Sequence, residues 1–203
     1  DGIKNGDIIV ENTWEGDSWK DPFAFNEWEK EMEQRKKEGL FDHIGTYVLD
    51  SATKWADCMM WEILRRGTRG KTRKGGNPEL QDYLVQQMIA VDWLGVLMGY
   101  PCHTLVTGHI GLIKDEVSGK IETGLLLAGK LSEKVPLVFD EKYVSMVKNS
   151  SGGVNHTLLT KNDGYYKAET RMGGSRFEQN EKPDINALLR KANRDNTNKE
   201  SLF

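Results

Sequence analysis

Two short, uninterrupted apolar runs constrain this chain most: Tyr47-Val48-Leu49 and Leu105-Val106. Neither alternates with polar residues, as a half-exposed strand would. A continuous run suits a strand covered on both faces, which is the environment of a parallel sheet. Between them lie two segments with helical patterns, "ATKWADCMMWEILRR" (52–66) and "NPELQDYLVQQMIAVDWLGVLMG" (77–99). Parallel strands need a long crossover, and helices supply it. The order strand, helix, helix, strand therefore predicts an α/β domain with a mainly parallel sheet between helices.

The flanking segments fit the same plan. "GDIIVENTW" (6–14) reads as a strand built on Ile8, Ile9 and Val10. "AFNEWEKEMEQRKKEG" (24–39) reads as a surface helix capped by Asn26 and stopped at Gly39. In the 77–99 helix, Asn77 and Pro78 give the start signal, and Leu80, Leu84, Met88 and Val91 give an apolar face. Residues 103–110 form the second buried strand. Residues 111–129 read as a loop or hairpin around Ser118-Gly119. Three short strands follow in 142–172, with turns at "NSSGG" and "NDG", extending the sheet with antiparallel strands. One domain is expected over 1–190, with 191–203 a polar, flexible tail.

Bulk properties exclude several classes. A net charge of −3 confines any nucleic-acid site to a local patch. No apolar run approaches the ~20 residues of a membrane span. Cys58 and Cys102 are far apart without metal-ligand spacing, which fits two thiols in a reducing, cytoplasmic compartment. His43, His103 and His156 show no partner pattern. Trp55, Trp61 and Trp93 lie on helices and are expected to pack on the sheet.

The first apolar run stops on Asp50, followed by Ser51. Ligands of open parallel sheets bind beyond the carboxyl ends of strands. A carboxylate there can hold Mg²⁺, usually through water, beside a nucleotide's phosphates. Equally, Asp50 can cap the following helix with help from Ser51. The neighbouring run ends on a second polar group, Thr107-Gly108-His109.

Five stretches follow one another in a recognisable order: "FDHIGTYVLDSATKW", "LQDYLVQQM", "CHTLVTGHI", "LAGKLSEKVPLVFDEKYVSMV" and "YYKAETRMG". In order and spacing they resemble phage-type RecA-like P-loop ATPases of recombination and single-strand annealing, over roughly residues 40–190. The resemblance implies that Asp50 is the Walker B aspartate with Ser51 its hydroxyl companion, holding ATP and Mg²⁺. It implies that His109 is a sensor between ATP and DNA, and that Arg171 reaches a neighbouring subunit's ATP in a ring or filament. A strand-end surface arginine is the other reading of Arg171. Where relatives carry Lys-x-Arg, this chain has Glu169, with Lys167 two residues earlier. Glu11 is a candidate water activator.

The phosphate-cradling G-x-x-x-x-G-K-[ST] does not occur in these residues. "GKTRKGG" (70–76) follows a helix and lacks the upstream glycine. In the family the motif precedes the region where this chain starts, so the expectation is that about 40 N-terminal residues of the family pattern are missing. ATPase activity is expected if those residues carry the motif.

"RRGTRGKTRK" (65–74) places Arg65, Arg66, Arg69, Lys71, Arg73 and Lys74 in one glycine-spaced patch. It suits sequence-independent phosphate contact, and lies where RecA-like proteins place a first DNA-binding loop. A solvated charged loop is the other reading. The second such loop corresponds to 111–124, with Lys114 and Lys120. The expected partners are single-stranded DNA, further copies of the chain and a single-strand-binding protein, in a host cytoplasm and without a membrane. A non-catalytic RecA-like DNA-binding or assembly scaffold is the alternative. A packaging motor is disfavoured, since Asp50 is followed by Ser51 and not by a glutamate.

Overall fold

The computed structural model describes residues 6–193 apart from 13, 68–71, 73–75, 115–118, 120 and 151. The chain forms two compact units, one within Asp1–Gly108 and Leu127–Leu131, the other within His109–Leu126 and Ser132–Thr197. Helices and strands are mixed, as in an α/β chain. Among the described residues no helix is long and apolar enough to cross a membrane.

The first unit contains α1 (Ala24–Lys37), α2 (Leu40–His43), β1 (Thr46–Leu49), α3 (Ala52–Arg66), α4 (Leu80–Met98) and β2 (His103–Val106). β1 and β2 pair in parallel, Thr46 opposite His103 through Leu49 opposite Val106, with α3 and α4 as the crossover. The pair is not covered on both faces as its apolar runs predict: Leu49 is buried, but Val48 is 50% and Leu105 37% exposed. An uninterrupted apolar run of two or three residues is too short to fix burial of both faces. The core is aromatic. Trp28 of α1 lies 5.5 Å from Trp55 of α3 and 4.8 Å from Trp93 of α4, centroid to centroid, and Phe25 joins at 5.7 Å from Trp28. Trp55 and Trp93 thus meet through Trp28. Phe41 stacks on Tyr100 at 3.8 Å.

Asn26 is not the cap of α1. Asp17, from the preceding turn, accepts from the backbone N–H groups of Phe23 at 2.7 Å and Ala24 at 3.2 Å, and so supplies the cap from outside the helix. Arg35, Lys36 and Lys37 crowd the last turn, where positive charge suits the helix dipole. Gly39 follows at φ +76°, a left-handed conformation that a side chain would disfavour.

α4 starts later than the sequence predicts and buries the opposite face. Its cap position is Glu79, whose backbone N–H donates to Asp82 Oδ2 at 2.7 Å. Leu80, Leu84 and Met88 are 79%, 56% and 73% exposed, while Asp82, Gln86, Ala90, Trp93, Leu94 and Leu97 are buried. Apolar residues occur all round this helix, so periodicity alone does not choose a face. Burial of Gln86 is made possible by its Nε2, which donates to the Ala56 carbonyl at 2.7 Å. Ile8, Ile9 and Val10 are exposed and belong to no strand among the described residues.

The second unit is antiparallel. It contains β3 (Ile110–Lys114), β4 (Ile121–Leu125), the Ser132–Leu137 part of α5 (Leu131–Leu137), β5 (Glu141–Lys142), β6 (Val144–Ser150), β7 (Gly153–Leu159), β8 (Glu169–Thr170), β9 (Asn180–Glu181) and α6 (Ile185–Lys191). β3 and β4 make the expected hairpin. β6 and β7 are joined at Ser150–Gly153, with Gly153 at φ +120°, and β9 adds to β7. β5 pairs with β8. The mainly parallel sheet expected from the sequence is therefore reduced to one parallel pair among the described strands. The later strands make small sheets of their own instead of extending β1–β2. Short connections allow only antiparallel pairing in the β3–β4 and β6–β7 hairpins, while β5–β8 and β7–β9 pair antiparallel across longer stretches of chain.

Two small cores hold this unit: Val144, Leu159 and Ala168, and Phe177, Leu188 and Ala192. Glu181, 8% exposed, accepts from Lys191 Nζ at 2.8 and 2.7 Å and from the Glu178 backbone N–H at 2.8 Å. Lys191 and Ala192 therefore belong to the fold. The rest of the expected tail, 194–203, lies outside the described residues.

Candidate functional site

The register of β1 and β2 fixes what stands at their carboxyl ends. Leu49 lies opposite Val106, so the next residues, Asp50 and Thr107, emerge side by side. Thr107 Oγ1 donates to Asp50 Oδ1 at 2.5 Å. The backbone locks the pair: Thr107 N–H donates to the Leu49 carbonyl at 3.1 Å, and Ala52 N–H to the Thr107 carbonyl at 2.8 Å. The Asp50–Ser51 peptide is cis.

Capping of α3 falls to Ser51, whose Oγ accepts from the Lys54 backbone N–H at 3.4 Å. Asp50 is exposed and points its Oδ1 to Thr107. The two readings of Asp50 are thus separated locally, since Ser51 does the capping. Sequence pattern alone assigns Thr107 no role. Its signal is positional, as the polar residue that ends the paired strand.

The donor set has limits. Among the described residues no group of three or more His, Cys, Asp or Glu could hold a metal ion. One carboxylate beside hydroxyls fits a hydrated Mg²⁺ that takes its remaining ligands from phosphate and water, and does not fit an all-protein cage.

Other candidates lie in different settings. Glu11 is ion-paired with Arg35, which also binds Glu31 at 2.9 Å. Burial lowers the pKa of Arg35, but the hydrogen bonds it donates to these two carboxylates outweigh it and raise it. Glu11 is thereby committed to a structural pair. His109 belongs to the second unit, is exposed, and its carbonyl accepts from Leu126 N–H at 2.7 Å. Arg171 also belongs to the second unit. It follows β8, is more than half exposed, and its Nη1 meets Asp140 Oδ1 at 3.2 Å.

The basic segment divides into two parts. Arg65 and Arg66, the last residues of α3, are both bound to Glu62, which is 1% exposed. Arg65 Nε and Nη2 donate to Glu62 Oε2 and Oε1 at 2.6 and 2.5 Å, and Arg66 Nε donates to Oε1 at 2.5 Å. Arg66 Nη2 also reaches Glu29 Oε2 at 2.8 Å, while Trp93 Nε1 donates to Glu29 Oε1 at 2.9 Å. These two arginines neutralise a buried carboxylate and tie α3 to α1 and α4. Arg69, Lys71, Arg73 and Lys74 lie outside the described residues, as does Lys120. Lys114 ends β3, opposite Ile121.

Cys58 is 6% exposed and its thiol is pushed up to about 12, by burial first and then by the Asp17 carboxylate beside it. It is not a nucleophile at neutral pH. No family model, curated protein or solved structure matches this chain.

Proposed function

We propose that the chain is an ATP-dependent, single-stranded-DNA-binding protein with a RecA-like core, of the type that serves phage recombination or strand annealing. The observation that carries this reading is the Asp50–Thr107 pair at the carboxyl ends of two parallel strands. An exposed carboxylate oriented by a neighbouring hydroxyl, and not used as a helix cap, suits a hydrated Mg²⁺ bound to a nucleotide. Magnesium there would neutralise phosphate charge. Hydrolysis is transfer of the γ-phosphoryl group to water, giving ADP and phosphate.

On this reading ATP sits between copies in a ring or filament, and Asp50 holds its Mg²⁺; a sensor role for His109 and a role for Arg171 on a neighbour's nucleotide are further parts of the same reading. The remaining basic residues of 65–74 contact the DNA backbone, with Lys114 and Lys120 as a weaker second contact. The compartment is the cytoplasm of a host cell.

A second reading is favoured by one specific observation: these 203 residues contain no G-x-x-x-x-G-K-[ST]. It is a RecA-like DNA-binding or assembly scaffold without hydrolysis. ATP turnover by the intact native protein, with and without single-stranded DNA, separates the two. Mg²⁺-dependent turnover stimulated by DNA is expected. DNA binding with no turnover would leave the scaffold.

A further inference from the structure

Leu80, Leu84 and Met88 of α4 are each more than half exposed, and Val91 is 40% exposed. Gly95 and Gly99, also exposed, continue the same line. At about 100° per residue these six positions fall within about 100° of the helix circumference, so they form one stripe. The opposite side of α4 is the one that enters the core, with Trp93, Leu94 and Leu97. The four large side chains leave on the order of 400 Å² of apolar surface in water, a size at which an exposed patch marks an interaction site.

The stripe carries little charge. The 19 residues of α4 include Asp82 and Asp92 but no Lys or Arg. Asp82 is fully buried, and Asp92 stands at the edge of the stripe. A contact over this face therefore desolvates few ions.

The order of side chain sizes selects what fits. The steps between 80, 84, 88, 91, 95 and 99 are 4, 4, 3, 4 and 4, the same read from either end. The sizes are not: Leu80, Leu84 and Met88 are bulky, Val91 is smaller, and Gly95 and Gly99 have no side chain. A second α4, turned end over end about a point between Ile89 and Ala90, sets Leu80 against Gly99, Leu84 against Gly95 and Met88 against Val91. Large meets small in each of these three layers. A Cβ at Gly95 would meet nothing within 4 Å, and one at Gly99 only backbone carbonyls of its own last turn, at 3.4 and 3.6 Å. Both gaps are open to a bulky side chain from outside. Met98, 37% exposed, extends the apolar surface at the end of the stripe.

We propose that α4 is an interface between two copies of this chain, paired as antiparallel helices across a two-fold axis at Ile89–Ala90. A two-fold contact closes at two copies. It is separate from the head-to-tail contact that a ring or filament requires, and it does not rest on the nucleotide reading. The pair buries about 1,000 Å² in total, the low end for specific interfaces, so the dimer is weak, with a Kd of about 1–100 µM. In dilute solution, below that range, the chain is a monomer.

Sedimentation equilibrium of the full chain without nucleotide or DNA, from about 1 to about 500 µM, tests this. A monomer–dimer equilibrium that stops at two copies is expected. Met88→Lys, which puts a charge in the central layer, should weaken it at least tenfold. Gly95→Leu should weaken it about tenfold by closing the gap that Leu84 fills. That variant adds apolar surface, so non-specific association would grow stronger instead. Leu84→Ala combined with Gly95→Leu restores large against small and should recover the affinity to within about threefold. All three positions are exposed, and circular dichroism checks each fold. A chain that stays monomeric throughout, as it would if a different protein covers this face, would overturn the proposal. So would a dimer indifferent to Met88→Lys, or one that Gly95→Leu tightens.

Discussion

Thr107 holds Asp50 through a 2.5 Å hydrogen bond across the carboxyl ends of β1 and β2. Both residues are exposed, so the bond orients the carboxylate more than it stabilises the fold. Thr107→Val should change stability by no more than about 1 kcal/mol. On the proposed function it should lower ATP turnover about 10- to 100-fold, as loss of an orienting partner does. Thr107→Ser, which keeps the hydroxyl, should restore most of the rate. Turnover beside urea denaturation checks both effects.

Arg65 and Arg66 share one buried carboxylate, so their removal should not be additive. Both arginines are about 40% exposed, and either alone still pairs with Glu62, so each single alanine variant should cost about 1 kcal/mol. The double variant strands Glu62 and should cost about 3–5 kcal/mol. In salt titrations of single-strand binding, neither single variant should flatten the slope much. Substituting Arg69, Lys71 and Arg73 should flatten it by about 0.7 for each phosphate no longer neutralised. An unchanged affinity and slope in that triple variant would remove the loop from the DNA reading.

The buried face of α4 can be tested directly. Leu84→Gln and Met88→Gln replace exposed side chains and should shift stability by less than about 0.5 kcal/mol. Leu94→Ala removes a fully buried side chain and should cost about 2–5 kcal/mol. Urea unfolding of the three variants decides the orientation of the helix.

Burial raises the pKa of the Cys58 thiol to about 12, from an ordinary value of 9.0. The folded chain keeps a proton that the unfolded chain loses, so stability is full below pH 9 and declines from there towards 12. The slope should approach about 1.4 kcal/mol per pH unit. Burial also raises the Tyr47 phenol, which adds to the fall above its ordinary value of 10.0. Urea midpoints taken across this range should decline, and Cys58→Ala should flatten the first part of the curve.

Much of the local structure is legible in the sequence because it is locally determined. The run Tyr47-Val48-Leu49 with its stop at Asp50 marks β1, and Ser51 followed by a helical pattern marks α3 from 52 to 66. "NSSGG" marks the β6–β7 turn. What the pattern misses depends on partners remote in sequence. Asp17 caps α1 from seven residues before its first residue, where the local pattern points to the nearer Asn26. α4 is apolar all round, and only packing against Ala56 and Trp28 shows which side is inside. Ile8, Ile9 and Val10 look like a strand but pair with nothing among the described residues. In the candidate site, Asp50 and Thr107 are both visible at the ends of their runs, but that they stand side by side needs the strand register. The structural commitment of Arg65 and Arg66 has a readable signal, Glu62 three and four positions earlier on the same helix.

Mg²⁺-dependent ATP turnover by the intact native protein, wild type against Asp50→Ala, is the most direct test of the nucleotide site. The variant loses an exposed carboxylate and should fold normally by circular dichroism. Turnover in the wild type, lost by about 100-fold or more in the variant, is the expected result. Turnover that persists in Asp50→Ala at the wild-type rate would contradict the assignment of Asp50 and, with it, the ATPase reading of the strand ends.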